Sequence, residues 1–109
     1  MKTCKRAVLP PGFQAAGMAC GIKKSGRPDL ALFFSRSPAH AACMFTSNVL
    51  PAAPILVCRK HLKSGCGCRA IVANSGNANC FTGKPGLKDA ERVAEYASGL
   101  LGIRKESVL

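Results

Sequence analysis

The sequence AIVANSGNAN, residues 70–79, joins an apolar segment directly to a loop of small and amide-bearing residues. The apolar half, 70–73, has the length and the bounds of a buried strand. Gly76 permits backbone angles that other residues avoid, and asparagine tolerates the left-handed region, so the polar half is suited to a tight loop. A strand that ends in such a loop and leads into a helix is a common place for a ligand site in an α/β protein.

The polar half of this stretch provides the candidate site residues of the chain. Their side chains and bare backbone offer neutral hydrogen-bond donors and acceptors rather than charges. The pattern leaves open an alternative, which is an ordinary strand-to-helix turn whose amides only satisfy the backbone of the loop itself. The candidate residues are Asn74, Ser75, Gly76, Asn77 and Asn79.

Upstream of this stretch, three further segments have the composition of strands. Residues 13–22 and 29–35 flank a turn-forming segment at 23–28, so they are predicted to form a hairpin. Residues 41–46 are predicted as a third strand. The segment at 69–73 is apolar on both faces, which predicts an interior strand rather than an edge strand.

Two helices are predicted, one before and one after the polar loop. The first begins at Pro54, and Ile55, Cys58 and Leu62 share its apolar face, whereas His61 is expected on its surface. The second spans 85–101 and is followed by a glycine that is typical of a helix end. The predicted order is β-β-β-α-β-α, and the predicted fold class is α/β.

The two ends of the sequence lead to expectations about the domain. Residues 1–12 are predicted to be a loose N-terminal segment that ends at two prolines and a glycine. Residues 106–109 resemble the first half of a strand. We therefore expect residues 1–109 to form a single, incomplete domain.

The composition indicates a globular chain with a strong positive charge. Sixteen Lys and Arg against five Asp and Glu give a formal net charge of +11 over 109 residues. This balance suggests a small basic module that binds nucleic acid, as an alternative function. However, the bases are scattered and no aromatic residues interleave with them, so nucleic-acid binding is not favoured.

Cysteine is abundant, but its spacing fits neither a disulfide framework nor a metal site. Seven cysteines at irregular intervals indicate a reducing compartment, which we take to be the cytoplasm, and no membrane span is evident. A zinc-binding module remains an alternative on paper. It would need Cys58, Cys66, Cys68 and Cys80, which include no C-x-x-C pair. No metal is predicted.

The remaining catalytic constellations are absent from the sequence. Neither His40 nor His61 has an adjacent acid, so a nucleophile–histidine–acid triad is not predicted. Asp29 and the other acids are expected to play structural roles on solvated faces. No glycine pattern of a dinucleotide or phosphate loop occurs, so no cofactor is predicted.

Several segments together resemble one known family, the ornithine acetyltransferase (glutamate N-acetyltransferase) family of arginine biosynthesis. The similarity extends almost continuously from residue 11 to residue 109, with the segments in the family's order and separations. The segments are 11–23 (PGFQAAGMACGIK), 29–32 (DLAL), 45–48 (FTSN), 52–55 (AAPI), and 74–79 (NSGNAN) with Thr82 and Gly83.

The resemblance implies a fold and a reaction for the whole protein. The fold would be an α-β-β-α sandwich of two stacked sheets between helices, with this chain as the N-terminal part of the α chain. Members of the family transfer acetyl from N-acetylornithine, or from acetyl-CoA, to glutamate. The nucleophile is a threonine freed by autocatalytic cleavage, and a Thr-Gly pair forms the oxyanion hole.

The resemblance also implies what this chain lacks. Both catalytic elements would lie beyond Leu109, so no catalytic residue is assigned here and the chain is expected to be inactive alone. Its expected partners are the remainder of the α chain and the β chain, in αβ pairs that associate further. Its expected small-molecule substrates are N-acetylornithine and glutamate, and neither nucleic acid nor a membrane is an expected partner.

Overall fold

A computed structural model describes residues 8–109 as a small sheet with two long helices on one side. Most of the loose N-terminal segment that the sequence predicts at 1–12 lies outside this range. The elements in chain order are β1 (Phe13–Met18), β2 (Leu30–Ala39), α1 (Ala53–Lys63), β3 (Cys68–Asn74), α2 (Gly83–Leu101) and a short 3-10 helix (Lys105–Ser107).

The three strands form an antiparallel sheet in the order β1-β2-β3. Phe33 in the central strand lies opposite Ala15 on one side and Ile71 on the other. The hairpin that the sequence predicts between the first two strands is confirmed, although β2 extends further than expected. The α/β fold class is confirmed as well.

The last two residues add a parallel partner to β3. Val108 forms a parallel bridge with Ala70, and the Leu109 N–H donates to the Ala70 carbonyl at 2.9 Å. The Val72 N–H donates to the Leu109 carbonyl at 2.8 Å. β3 thus has neighbours on both sides, which confirms the prediction of an interior strand. The strand start predicted at 106–109 is wrong for its first two residues, because Lys105–Ser107 form a 3-10 helix and only residues 108–109 pair with β3.

The predicted third strand at 41–46 is wrong. Residues 40–48 have no regular secondary structure, so the described part of the chain has the order β-β-α-β-α. The segment lies beside α1 instead, where the Arg59 guanidinium donates to the Thr46 carbonyl at 2.9 Å and covers the Phe45 ring at 5.3 Å. Strand propensity alone cannot hold an extended segment that lacks a partner strand for its ladder.

The core is small and lies between the sheet and the helices. Ala70, Ala94 and Val108 are fully enclosed at its centre. Partly buried residues pack around them: Leu32, Phe34, Val72, Ala97, Leu101 and Ile103. With so few enclosed apolar residues, the free energy from burial is modest.

The face of helix α1 that is buried against the core differs from the predicted one. Its buried residues are Ala53, Val57 and His61, spaced four apart, whereas the predicted apolar face is only half-buried. His61 is 2% exposed, so the expectation of a surface histidine is wrong. Helix α2 ends as predicted, at Gly102 in the left-handed conformation with φ of +63°.

The opposite face of the sheet is apolar and open. Phe13, Phe33 and Ile71 are 44%, 45% and 45% exposed, and the strand register places them on one face together with Ala15. Within residues 8–109, α2 packs on the other face, and α1 packs on α2 and on the 3-10 helix. None of the helices in this range is long and apolar enough to cross a membrane.

Candidate functional site

The asparagine loop, residues 74–79, is held by hydrogen bonds from its own amide side chains. Asn74 Nδ2 donates to the Asn77 carbonyl at 3.0 Å. Asn79 Nδ2 donates to the Gly86 carbonyl in the first turn of α2 at 2.7 Å, and the Thr82 hydroxyl donates to Asn79 Oδ1. The loop is therefore joined to the helix that follows it.

The junction between this loop and α2 leaves no room for a side chain. A Cβ placed on Gly86 would overlap Thr82 Oγ1 and Asn79 Oδ1. Phe81, between these two partners, has a φ of +54°, which is unusual for a bulky residue. Strained backbone of this kind often occurs at functional sites.

The other end of the asparagine loop docks on the turn between β1 and β2. The Ser75 N–H donates to the Asp29 carbonyl at 2.9 Å. Gly76, with φ of +92°, lies so close to this turn that a Cβ would be 2.6 Å from Lys23 Cγ and 3.3 Å from Ile22 Cγ2. Only glycine accommodates both the backbone angle and the contact without strain.

Asp29 organises the turn on which the loop docks. Its side chain is buried, and the carboxylate accepts hydrogen bonds from the Cys20 N–H at 2.8 Å, the Lys23 N–H at 2.9 Å and the Cys20 thiol at 3.1 Å. The two main-chain donors stabilise the charged form and hold the pKa of Asp29 well below its usual range. The same carboxylate raises the pKa of the Cys20 thiol, which donates to it. The expectation of a solvated acid at this position is wrong.

A cleft of about 420 Å³ opens between the asparagine loop, the sheet and both long helices. Asn74, Asn77 and Asn79 line its polar side, and Asp89 contributes a carboxylate. The rest of the lining is mostly apolar and comes from Ile22, Leu30, Pro54, Val57, Val72, Ala78, Thr82, Ala90, Val93, Ala94, Val108 and Leu109.

This lining determines what the cleft can do chemically. A lining that combines neutral amides with apolar side chains suits a ligand with an uncharged polar group, such as a carbonyl or an amide. The Asn77 side chain makes no hydrogen bond to another described residue, so its donors and acceptor remain available. The lining contains neither Cys nor His, and its one hydroxyl, on Thr82, is bonded to Asn79, so it provides no nucleophile with a base.

The structure divides the predicted site residues into two groups. Asn74, Asn77 and Asn79 line the cleft, whereas Ser75 and Gly76 attach the loop to the neighbouring turn. Their participation in substrate binding stays a prediction.

Sequence reasoning missed the supporting residues Asp29, Thr82 and Gly86. Asp29 begins one of the segments that resemble the family, but its role is not evident from the sequence, because its partners are main-chain groups and a thiol. Thr82 and Gly86 do carry a signal, since a hydroxyl four residues before a glycine in a first helical turn suggests a close approach.

The cysteines and histidines that the structure describes do not assemble into a metal centre. Across residues 8–109, no group of three or more His, Cys, Asp or Glu side chains is arranged to hold a metal ion. Cys58 and Cys68 are half-buried, and this burial raises the pKa of both thiols. They contribute volume near the core rather than a ligand set.

Comparison with known proteins identifies the family of the chain. The model of the ArgJ family matches residues 14–109. The "Arginine biosynthesis bifunctional protein ArgJ" of Thermus thermophilus is 48% identical over 101 residues, and that of Syntrophotalea carbinolica is 45% identical over 97 residues. These matches cover 93% and 89% of this chain but only 26% and 24% of the relatives, so the chain spans about a quarter of their length.

Two solved structures share the fold. The arginine biosynthesis bifunctional protein ArgJ of Bacillus halodurans superposes with a TM-score of 0.86 at 34% identity, over 90% of this chain and 51% of that one. The ornithine acetyltransferase of Mycobacterium tuberculosis, crystallised with ornithine, superposes with a TM-score of 0.83 at 41% identity, over 91% and 54%. The resemblance that the sequence motifs indicate is confirmed, and the chain belongs to the ArgJ family.

Proposed function

We propose that this chain is the N-terminal portion of an acetyltransferase of arginine biosynthesis, which moves an acetyl group from N-acetylornithine, or from acetyl-CoA, to glutamate in the cytoplasm. The family match over residues 14–109 is the observation that carries the proposal. The threonine nucleophile and the oxyanion hole come from polypeptide beyond these residues. The asparagine loop contributes neutral hydrogen bonds beside the reacting group.

The direction of the last two residues supports this placement of the loop. Leu109 runs parallel to β3 and bonds to Val72, and Asn74 lies only two residues further along the strand. A polypeptide that continued this strand would pass directly beside the asparagine loop. Catalytic groups on that continuation would then face the cleft that Asn77 and Asn79 line.

The open face of the sheet supports the proposal of an incomplete sandwich. Phe13, Phe33 and Ile71 form an apolar surface that a second sheet would cover at a spacing of about 10 Å. We propose that the rest of the same enzyme supplies this sheet, in αβ pairs that associate further. The length of the relatives, of which this chain spans about a quarter, provides the necessary polypeptide.

A chimeric enzyme tests the proposal. Residues 14–109 would replace the matching stretch of the Thermus thermophilus relative, and acetyl transfer from N-acetylornithine to glutamate would be measured by the formation of N-acetylglutamate. We expect the chimera to be active and the 109-residue chain alone to be inactive. A variant of the chimera with Asn77→Ala should retain its fold and lose part of its activity, because the side chain of Asn77 supports no other described residue.

Two results would contradict the proposal. Turnover by the 109-residue chain alone would show that the reactive groups lie within it. A chimera that folds and assembles like the parent enzyme but transfers no acetyl group would show that this chain does not supply the site.

A further inference from the structure

We propose that Asp29 is the positioning residue of the asparagine loop: its carboxylate and its main-chain carbonyl together set where residues 74–79 stand against the sheet. The inference deepens the proposed acetyl-transfer function and rests on it for its catalytic consequence. Asp29 does not line the cleft, so it acts through the loop and not on a substrate.

Two sets of contacts pass through this one residue. The carboxylate accepts the N–H groups of Cys20 and Lys23 and so fixes the turn between β1 and β2. The carbonyl of the same residue accepts the Ser75 N–H, which is the first bond that the asparagine loop makes after β3. Gly76 then packs on Lys23, within the turn that the carboxylate holds.

The hydrogen bonds that the Asp29 side chain makes to the turn between β1 and β2 require a carboxylate. All three groups that reach the side chain are donors, namely two main-chain N–H groups and the Cys20 thiol. A carboxylate offers acceptors on both oxygens, whereas an asparagine amide would turn a donor toward one of them. Asp29→Asn therefore has almost the same shape but loses part of these hydrogen bonds.

Amide hydrogen exchange on the 109-residue chain tests the docking directly. In Asp29→Asn we expect faster exchange at Cys20 and Lys23 and also at Ser75, by about tenfold each, while the β2–β3 ladder stays protected. Glu95→Gln, which removes an exposed carboxylate from α2, is the matched control and should change none of these amides. Loosening at Cys20 and Lys23 without any change at Ser75 would overturn the inference.

Kinetics of the chimeric enzyme test the consequence for the reaction. Asp29→Asn should lower kcat by about ten- to a hundredfold with a smaller change in KM, since a misplaced loop costs transition-state stabilisation. Gly76→Ala should displace the same loop, because the added methyl group would meet Lys23 in the turn between β1 and β2. The double variant should lose no more activity than the worse single variant, because both changes act on one structural element.

The outcomes separate this inference from the proposed function. If the chimera is inactive but the exchange pattern is as expected, the acetyl-transfer proposal fails and the docking role stands. If the chimera is active and the two substitutions reduce kcat by independent factors, the positioning role fails. Should Asp29→Asn prevent folding, Asp29→Glu keeps the charge, and unchanged exchange at Ser75 together with unchanged kcat in that variant would overturn the inference.

Discussion

The buried imidazole of His61 in α1 donates a hydrogen bond from Nδ1 to the main-chain carbonyl of Val108, 2.7 Å away. A carbonyl oxygen can only accept, so Nδ1 carries the proton of this hydrogen bond. Val108 is the residue that bridges to β3. The bond therefore ties the helix to the fourth, parallel element of the sheet.

Replacement of His61 by leucine should destabilise the chain by about 1–3 kcal/mol, because the buried Val108 carbonyl loses its side-chain donor. The free energy of unfolding, measured by urea denaturation, checks this. His40→Leu is the control, since His40 is exposed and should change stability by no more than about 0.5 kcal/mol. Equal effects at the two positions would mean that the bond to Val108 contributes nothing.

Gly86→Ala and Gly99→Ala should change stability in opposite directions, although both glycines lie in α2. A methyl group at Gly86 overlaps Thr82 and Asn79, and the resulting displacement should cost about 1–3 kcal/mol. A methyl group at Gly99 meets no atom within 4 Å, so the better helix propensity of alanine should stabilise by about 0.5–1 kcal/mol. Thermal unfolding, followed by circular dichroism, measures the stability change of each variant. Stabilisation by Gly86→Ala would show that Gly86 is not in close contact with Thr82 and Asn79.

The chain should lose stability in acid through Asp29. Because the folded-state pKa is lowered, the carboxylate stabilises the fold fully above its ordinary pKa of about 3.9, and this contribution is lost as pH falls below that value. The difference in urea midpoint between the parent chain and Asp29→Asn should therefore narrow from about pH 5 to about pH 2. A difference that stays constant over this range would show that the charge of the carboxylate is not what stabilises the turn.

The thiol of Cys20 should react slowly with alkylating reagents despite its exposure. Its hydrogen bond to Asp29 raises the pKa, and the thiolate is the reactive form. In variants with a single cysteine, iodoacetamide should label Cys20 severalfold more slowly than the exposed Cys80 at neutral pH. Asp29→Asn should accelerate labelling at Cys20 and leave Cys80 unchanged; acceleration at both positions would indicate general loosening instead.

The 109-residue chain should self-associate through the open face of its sheet. Phe33→Lys places a charge at the centre of this apolar surface and should shift the sedimentation profile toward monomer without changing the circular dichroism spectrum. Leu100→Lys is the matched control, because Leu100 is highly exposed on α2, away from the sheet. If both substitutions dissociate the chain equally, the sheet face is not the contact.

Local patterns were sufficient to predict the elements that have clear signals. The hairpin follows from turn residues between two apolar runs, and the end of α2 follows from Gly102. The interior position of β3 follows from apolar residues on both faces. The location of the candidate loop follows from the polar residues 74–79 directly after an apolar strand, and the family resemblance provided the rest of the prediction.

The wrong predictions concern residues whose conformation or burial is determined by tertiary contacts rather than by local sequence. Residues 41–46 have the composition of a strand, but within residues 8–109 no strand pairs with them. His61 has a polar side chain near a helix end, yet its spacing from Ala53 and Val57 places it on the buried stripe. Asp29 binds main-chain groups, which any sequence provides, so its role could not be read from neighbouring residue types.

The hydrogen bond from Asn79 to Gly86 determines how long a segment must be if it is to be exchanged between homologous enzymes with its contacts intact. The hexapeptide at 74–79 is not such a piece, because its amides and its backbone require Thr82 and Gly86 downstream and the Asp29 turn upstream. A protein engineer who grafts this segment has to transplant residues 74–86 together with the 20–29 turn.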